Sequence, residues 1–580
     1  MSSTKNITHK YLGKIFPVIN WLGAYQLPWL RHDIVAGITL AAFIMPESLA
    51  YASLAGLPPV TGIYCCLLGG IGYAIFGSSK HLAVGPTSAI SLLIGVSLVG
   101  IVGGNMEMFF PVVTLTTLLV AAIFFISYIF RLNVIVNFIS ESTLIGFKAG
   151  AALSIISTQL HKLFGVSGGG NDFFSRVYSV FEQISNINIV VLLVGIGALA
   201  LLISGDIFLK GKPVALGVVV LSLIIIPLFQ LNQYNIHIVG ELPAGLPSLL
   251  EQNFNFSGIN ILIFRDIAEL AFACFLLSYI ESVSAGRTFA IKHHYEIDSR
   301  QELLALGSAN LLTGLFQGYP SAGGLSQSVV NESAGAKTSL SLVFASSILV
   351  VVLLFLTGLL KNLPEVILAS IVLVAVSGLI KIKEFKHYWK VSKIDFYASV
   401  FAFGGVLLLG ILDGVILAVI ASLIMLLLRI ADPHIAILGR IPGTDRFSDI
   451  KRHPDNETFR GLMIVRVEAM VLYFNAEHIF EKLMKLVNEN PDIKFLVWDF
   501  SSSSYLDITG IKMILRLHKE LELKNINFRI AEALAEIRDI MRAEGLEEKI
   551  GRISRKVSLE EIVEEYLNNQ NFNSDSKTLK

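Results

Sequence analysis

Between Asp33 and Arg429 the chain repeats one pattern: an apolar run long enough to cross a bilayer, then a short polar break. A hydrocarbon core of about 30 Å takes roughly 20 residues of helix. Inside it, backbone groups find partners only within helices or closed barrels. Unbroken apolar runs of this length specify helices, so this part of the chain reads as an α-helical polytopic membrane protein. About fourteen segments are expected, near 35–55, 62–78, 86–102, 111–130, 134–161, 187–205, 213–230, 263–285, 301–317, 322–335, 339–360, 363–379, 395–410 and 411–429. The third and tenth are short for a full crossing.

Charge marks where the pattern stops. The last 150 residues hold 47 of the 90 Asp, Glu, Lys and Arg side chains. The domains are therefore read as an N-terminal segment 1–32, a transmembrane domain 33–430, a soluble domain 431–568 and a polar tail 569–580. An even number of spans puts both termini on one side. Counted from a cytoplasmic N-terminus, the inside loops hold Lys80, Arg131, Lys210, Lys212, Arg287, Lys292, Arg300, Lys337 and the cluster Lys381, Lys383, Lys386, Lys390 and Lys393. The outside loops keep little beyond Arg176 and Lys361. That asymmetry places the N-terminus and the C-terminal domain in the cytoplasm of a multi-pass inner (plasma) membrane protein. The lead-in carries Lys5, Lys10 and Lys14 without a cleavable apolar core, and so reads as cytoplasmic. Cys65, Cys66 and Cys274 lie in apolar runs and read as core. A net charge of zero gives no footing for nucleic acid.

Two carboxylates interrupt the apolar runs. Glu47, in MPESLAYA, is the only Asp, Glu, Lys or Arg between Ile34 and Ser79. Glu281, in SYIESVSAG, is the only one between Glu269 and Arg287. Each precedes a serine. The short third and tenth segments open with VGPTSAIS and YPSAGGLSQS, and the interval from Pro86 to Pro320 equals that from Glu47 to Glu281. Matched short, Pro/Gly-interrupted segments in two halves point to a transporter built from repeats, with its site at their interface. The repeats are read as about 33–230 and 263–430, seven segments each and therefore inverted.

A helix that starts in mid-membrane leaves its first N–H groups unpaired and presents the positive end of its dipole. Two such starts, after Pro86 and Pro320, form an anion site without a buried Lys or Arg. Proline suits a helix start because it has no N–H to leave unpaired. Thr87, Ser88, Ser326 and Gln327 supply further hydrogen bonds, and Ala322, Gly323 and Gly324 let backbone approach the ligand. The competing reading of the small residues is tight helix packing.

DIVAGITLAAFIMPESLAYASLAGLPPVTGIY and FGSSKHLAVGPTSAISLL resemble the opening signature of SulP-type inorganic anion transporters, commonly called sulfate permeases. GYPSAGGLSQSVVNESAGAKTSL resembles that family's tenth-segment motif. The stretch from LGRIPGTDRFSDIKRHPDNE through VWDFSSSSYLDITGIKMILRL resembles its STAS domain. The resemblance runs over about residues 20–565. It implies fourteen helices in a seven-plus-seven inverted repeat, a core and a gate domain, and a homodimer moving its cores in an elevator-like step. The anion, whether sulfate, bicarbonate or a dicarboxylate, would sit between segments one, three, eight and ten. Many relatives carry Arg in that motif (SRS) where this chain has Gln327. Without that charge, a cation or proton joining the anion becomes favourable.

An ionisable group within a span is a functional candidate by default. Glu47 is read as the site of a co-transported proton, with Glu281 as runner-up; the competing reading is a brace for a first helix broken at Pro46. Sodium is the alternative coupling ion, through Thr39, Ser48 and Ser282. The function read from this is sulfate uptake by proton symport. The alternatives are sodium-coupled bicarbonate or proton-coupled dicarboxylate transport, or an uncoupled channel or exchanger. Nothing resembles a nucleophile–base set, a metal motif or a P-loop, so neither an enzyme nor a cofactor is expected. In the C-terminal domain, apolar strands alternate with amphipathic helices, as in a small α/β sheet. Asp507 and Thr509 are read there as a helix cap, and the sequence names no partner for the domain. His293 and His294 are read as a solvated loop.

Overall fold

The computed structural model describes residues 13, 15–103, 105–133, 140–170, 172–209, 212–229, 231–234, 236–240, 245–248, 254, 256, 258–554 and 557–578. Lys5, Lys10, Lys14, Lys210 and the first residues of the expected 134–161 segment lie outside them. The chain divides into two compact units, residues 1–422 and 423–580.

The first unit is helical: α1 (Leu27–Leu54), α2 (Val60–Phe76), α3 (Ser88–Val102), α4 (Phe109–Ile129), α5 (Glu141–Phe164), α6 (Ile189–Phe208), α7 (Val214–Leu228), α8 (Ile261–Lys292), α9 (Ser299–Leu315), α10 (Leu325–Ser333), α11 (Leu340–Phe355), α12 (Glu365–Ser377), α13 (Lys393–Leu409) and the first part of α14 (Ile411–Ala431), whose residues from Leu423 on belong to the second unit. Each expected segment coincides with one of these helices. Shorter helices, Pro17–Gly23, Phe173–Glu182 and Ile382–Val391, add pieces that hydropathy does not reveal. Among the described residues, five helical stretches are long and apolar enough to cross a membrane. At 1.5 Å per residue α3 and α10 extend only about 22 and 14 Å, short of the roughly 30 Å of hydrocarbon. Large apolar side chains stand exposed on α6, α7 and α13, among them Leu193, Ile207, Ile224, Phe401 and Leu408. A bare apolar surface of that extent is what a lipid-facing wall looks like.

Two bundles share this unit. Helices α1–α4 pack mainly with α8–α11, and α5 and α6 with α12 and α13, while α7 and α12 also pack on α1. Small residues set the closest approaches. A Cβ on Gly146 of α5 would run into the Ser399 carbonyl oxygen of α13, and one on Gly150 would come within 2.8 Å of the Phe403 carbonyl oxygen.

Several local expectations need correction. Helix α1 runs unbroken through Pro46. A proline removes one N–H and crowds the preceding turn, and the tightly packed neighbours of α1 hold the helix together across it. Pro320 does not open a helix. Four residues follow it before α10 begins, and three of them form a strand, β2 (Ala322–Gly324), paired antiparallel with β1 (Ala83–Gly85). Pro86 lies two residues before α3, and Thr87 takes the N-cap position. The two prolines are therefore not structural counterparts, although their numbers differ by as much as those of the two acids.

The second unit carries a five-stranded sheet in the order β4-β3-β5-β6-β7. Its strands are β3 (Ile435–Arg440), β4 (Phe447–Asp449), β5 (Leu462–Val467), β6 (Phe495–Asp499) and β7 (Asn527–Ala531). β5, β6 and β7 run parallel, joined by α15 (Ala476–Glu489) and α16 (Ile508–Leu523), while β3 is antiparallel to both its neighbours. Strands β3 and β4 escape the sequence pattern. Asp507 caps α16, its Oδ1 accepting from Gly510 N at 2.8 Å. α17 (Ala535–Ala543), α18 (Leu546–Ile550) and α19 (Leu559–Thr578) complete the unit; α19 continues as helix through most of the expected polar tail.

Candidate functional site

Helices α1 and α8 begin at Leu27 and Ile261, and Glu47 and Glu281 lie equally far past those starts. Beyond the acids the spacing changes. Helix α8 has 32 residues against the 28 of α1, and one more residue separates it from the helix that follows. The starts of α9 and β2 are displaced accordingly from those of α2 and β1. The β ladder respects this larger offset. Ala83 pairs with Gly324, Val84 with Gly323 and Gly85 with Ala322, so laying β1 on β2 residue for residue maps the ladder onto itself.

Close approach explains the small residues here. Gly323 N donates to Ser282 Oγ at 2.7 Å, and a Cβ on Gly323 would stand 2.7 Å from Leu82. Ala322 is fully buried. The expectation that Ala322 and Gly323 bring open backbone to a ligand is corrected, since their strand is occupied in the ladder and packed on Leu82. Ser328 Oγ accepts from Ala83 N at 2.9 Å, and Asn331 Nδ2 donates to His81 O at 3.1 Å. The two halves are thus bonded across their centre.

Both helix starts face this junction without a side-chain cap, α3 at Thr87 and α10 at Gly324. Uncapped starts leave their first N–H groups open to another acceptor. Gln327 is buried at 2% exposure and donates from Nε2 to Pro86 O at 3.1 Å, tying one start to the other. Glu47 is buried too; Tyr51 Oη donates to its Oε1 at 3.3 Å, while Oε2 has no partner. The Gln327 amide is its other polar neighbour, and Ser88 lies beside Tyr51. At the opposite end Thr87, 8% exposed, carries a buried and unpartnered Oγ1. It stands beside Glu281, whose Oε2 is likewise shielded and unpartnered. A buried polar atom without a partner costs about 1–3 kcal/mol, so three in one junction suit a site that meets a polar ligand.

The residues named from sequence do not all converge. Glu47, Pro86, Thr87, Ser88, Glu281 and Gln327 share the junction, whereas Ser326 is exposed on α10 and Gly324 is half-buried at its N-cap. The hydroxyls considered for sodium are engaged within their own helices: Thr39 donates to Val35 O, Ser48 to Met45 O and Ser282 to Ser278 O. His293 is more than a solvated loop residue; it bonds Glu332 at 2.7 Å and stacks on His81.

Sequence reasoning passed over Lys148. It is the only Asp, Glu, Lys or Arg between Glu141 and Lys162, and the argument that singled out the two acids applies to it equally. The structure sets its ammonium within electrostatic reach of Glu281, from α5 in the other bundle.

The sequence matches the sulfate permease family over residues 30–402 and the STAS domain over residues 453–560. It is 31% identical over 549 residues to probable sulfate transporter 3.3 of Arabidopsis thaliana, covering 90% of this chain and 86% of that one. It is 30% identical over 562 residues to high affinity sulfate transporter 2 of Stylosanthes hamata, covering 93% and 84%. The fold is similar to that of murine Solute Carrier 26 family member A9, an anion transporter solved in an inward-facing state. The TM-score is 0.84 at 22% identity, over 96% of this chain and 94% of that one.

Proposed function

The chain belongs to the sulfate permease family, a family of transporters and not of enzymes, and on that premise we propose that it takes up sulfate in symport with a proton. The anion binds between the uncapped starts of α3 and α10, and Glu47 carries the proton. One observation bears most of this reading: Thr87 Oγ1, Glu47 Oε2 and Glu281 Oε2 are all buried around a single pair of helix starts with no hydrogen bond formed to any described residue. The relatives named as sulfate transporters support sulfate over bicarbonate or a dicarboxylate.

The same proposal takes α1–α14 as fourteen spans in two inverted repeats of seven. The self-symmetric β1–β2 register supports a two-fold relation between the halves. The division into two bundles, which meet mainly where α1 packs on α7 and α12, supports an elevator-like displacement of α1–α4 and α8–α11 against the rest. The transport domain extends to about residue 430 and the STAS domain from 431, with both termini cytoplasmic in the plasma membrane and two chains forming a dimer.

Purified protein in liposomes, given labelled sulfate, bicarbonate or fumarate with and without an inward proton gradient, tests this. Gradient-driven sulfate uptake is expected, with Glu47→Gln losing the dependence on the gradient. Uptake by Glu47→Gln that keeps the wild-type proton dependence would refute the role of Glu47. Sodium-driven bicarbonate uptake, or uptake of fumarate alone, would replace the substrate and coupling ion.

A further inference from the structure

Three groups around Thr87 come from three different helices. Thr87 opens α3, Glu281 lies on α8, and Lys148 lies on α5. The seam between α5 and α8 is open one turn away. A small, almost wholly apolar cavity of about 20 Å³ there lies between Thr143, Leu144 and Phe147 of α5, Leu276, Leu277 and Ile280 of α8, and α14. Phe147 and Ile280 are the chain neighbours of Lys148 and Glu281, so the two charged residues flank the same seam. Helix α5 cannot shift independently of its own bundle, since Gly146 and Gly150 lock it against α13. The position of Lys148 is therefore fixed on one bundle and those of Glu281 and Thr87 on the other.

The bonding around Lys148 is incomplete. No hydrogen bond and no ion pair within 4 Å joins it to any described residue, although Glu281 stands within electrostatic reach with Oε2 unpartnered. A lysine inside a membrane helix is costly unless it pairs or meets an anion. Helix starts alone offer an anion only partial charge, equivalent to about half a unit each.

We infer that Lys148 is the cationic residue of the anion site, balanced by Glu281 across the seam and released to the anion when it binds beside Thr87. This rests on the anion-uptake reading and adds a residue to it. The site's full positive charge then comes from the bundle opposite the helix starts. The anion bridges the two bundles, and Glu281 competes with it for the ammonium.

The test is a four-way cycle in the full-length protein: wild type, Lys148→Gln, Glu281→Gln and the double variant. Lys148→Arg serves as the conservative control, and Lys148→Met as a second neutral variant should Lys148→Gln fold poorly. Thermal unfolding in detergent is read first without anion, then with sulfate, bicarbonate or fumarate. Without anion, the two single changes are expected to be non-additive. With anion, the wild-type midpoint rises, Lys148→Arg follows it, and Lys148→Gln needs roughly tenfold more anion for half the shift, about 1.4 kcal/mol of binding. Glu281→Gln is expected to respond at lower anion concentration than wild type. Additive midpoints would overturn the pairing of Lys148 with Glu281. An anion response unchanged in Lys148→Gln would overturn its role in binding while leaving the anion site standing. A wild type that responds to none of the three anions, with the coupling intact, would overturn the uptake reading and reduce the pair to a brace between bundles.

Discussion

Glu47 and Glu281 sit at equal depth along two corresponding helices, α1 and α8, yet their surroundings differ. Glu47 is buried, has a hydroxyl donor in Tyr51, and lies beside the neutral amide of Gln327. Glu281 is half-buried, has no hydrogen bond formed to its Oε2 by any described residue, and lies within electrostatic reach of Lys148. Equal positions along two long helices thus have different settings. Among the described residues no cation stands beside Glu47. Glu281 has a counter-charge and belongs with charge balance.

The comparison breaks most visibly if the two acids are neutralised one at a time. Glu47→Gln is expected to abolish accumulation driven by the proton gradient. Glu281→Gln is expected to keep that dependence and to lower the KM for the anion several-fold, because Lys148 loses its competitor. Equal loss of proton dependence in both variants, measured in liposome uptake, would make the two ends equivalent.

A smaller contrast separates Gln327 from Thr87. The Gln327 amide bonds the Pro86 carbonyl between the halves, so Gln327→Ala should cost about 1–3 kcal/mol of stability and raise KM as well. Thr87 Oγ1 forms no hydrogen bond with any described residue, with the Glu281 carboxylate beside it. Thr87→Val should leave the unfolding midpoint unchanged or slightly raised, while the anion KM rises roughly tenfold through a lost ligand hydrogen bond to a charged group. If Thr87→Val destabilises as much as Gln327→Ala, its hydroxyl serves the fold and not the ligand.

What the sequence made legible follows from distance along the chain. Apolar runs, lone acids and Gly/Ser-rich openings are local, and each coincides with a helix or with the junction. The β1–β2 ladder joins two three-residue strands from opposite halves of the unit, and no local pattern marks a strand that short. The equality of the two proline offsets misled for the same reason: numerical spacing ignores the extra turn by which α8 outruns α1. Lys148 was visible as a lone charge in IGFKAGAAL, but its partner on α8 is remote in the sequence and was not. In the second unit, short apolar runs between amphipathic helices marked β5, β6 and β7, whereas β3 and β4 are recognisable only by what they pair with.

The smallest effect belongs to a carboxylate of the opposite kind. Asp432 is largely exposed and partnered through Oδ1, accepting from Lys482 Nζ and lying 2.9 Å from His478 Nε2. Hydrogen bonds from Lys482 and then His478 hold its carboxyl below the usual range. A depressed folded-state value means stability present above the unfolded value near 3.9 and lost as pH falls through the folded one. Exposed pairs contribute at most about 1 kcal/mol. Lys482→Met should therefore shift the unfolding of the C-terminal unit by no more than that at pH 7, with the difference from wild type vanishing in acid and shrinking in high salt. A shift as large as that of Gln327→Ala would show that an exposed, satisfied carboxylate can matter as much as a buried junction, and that partnering alone does not separate the acids of the fold from those of the site.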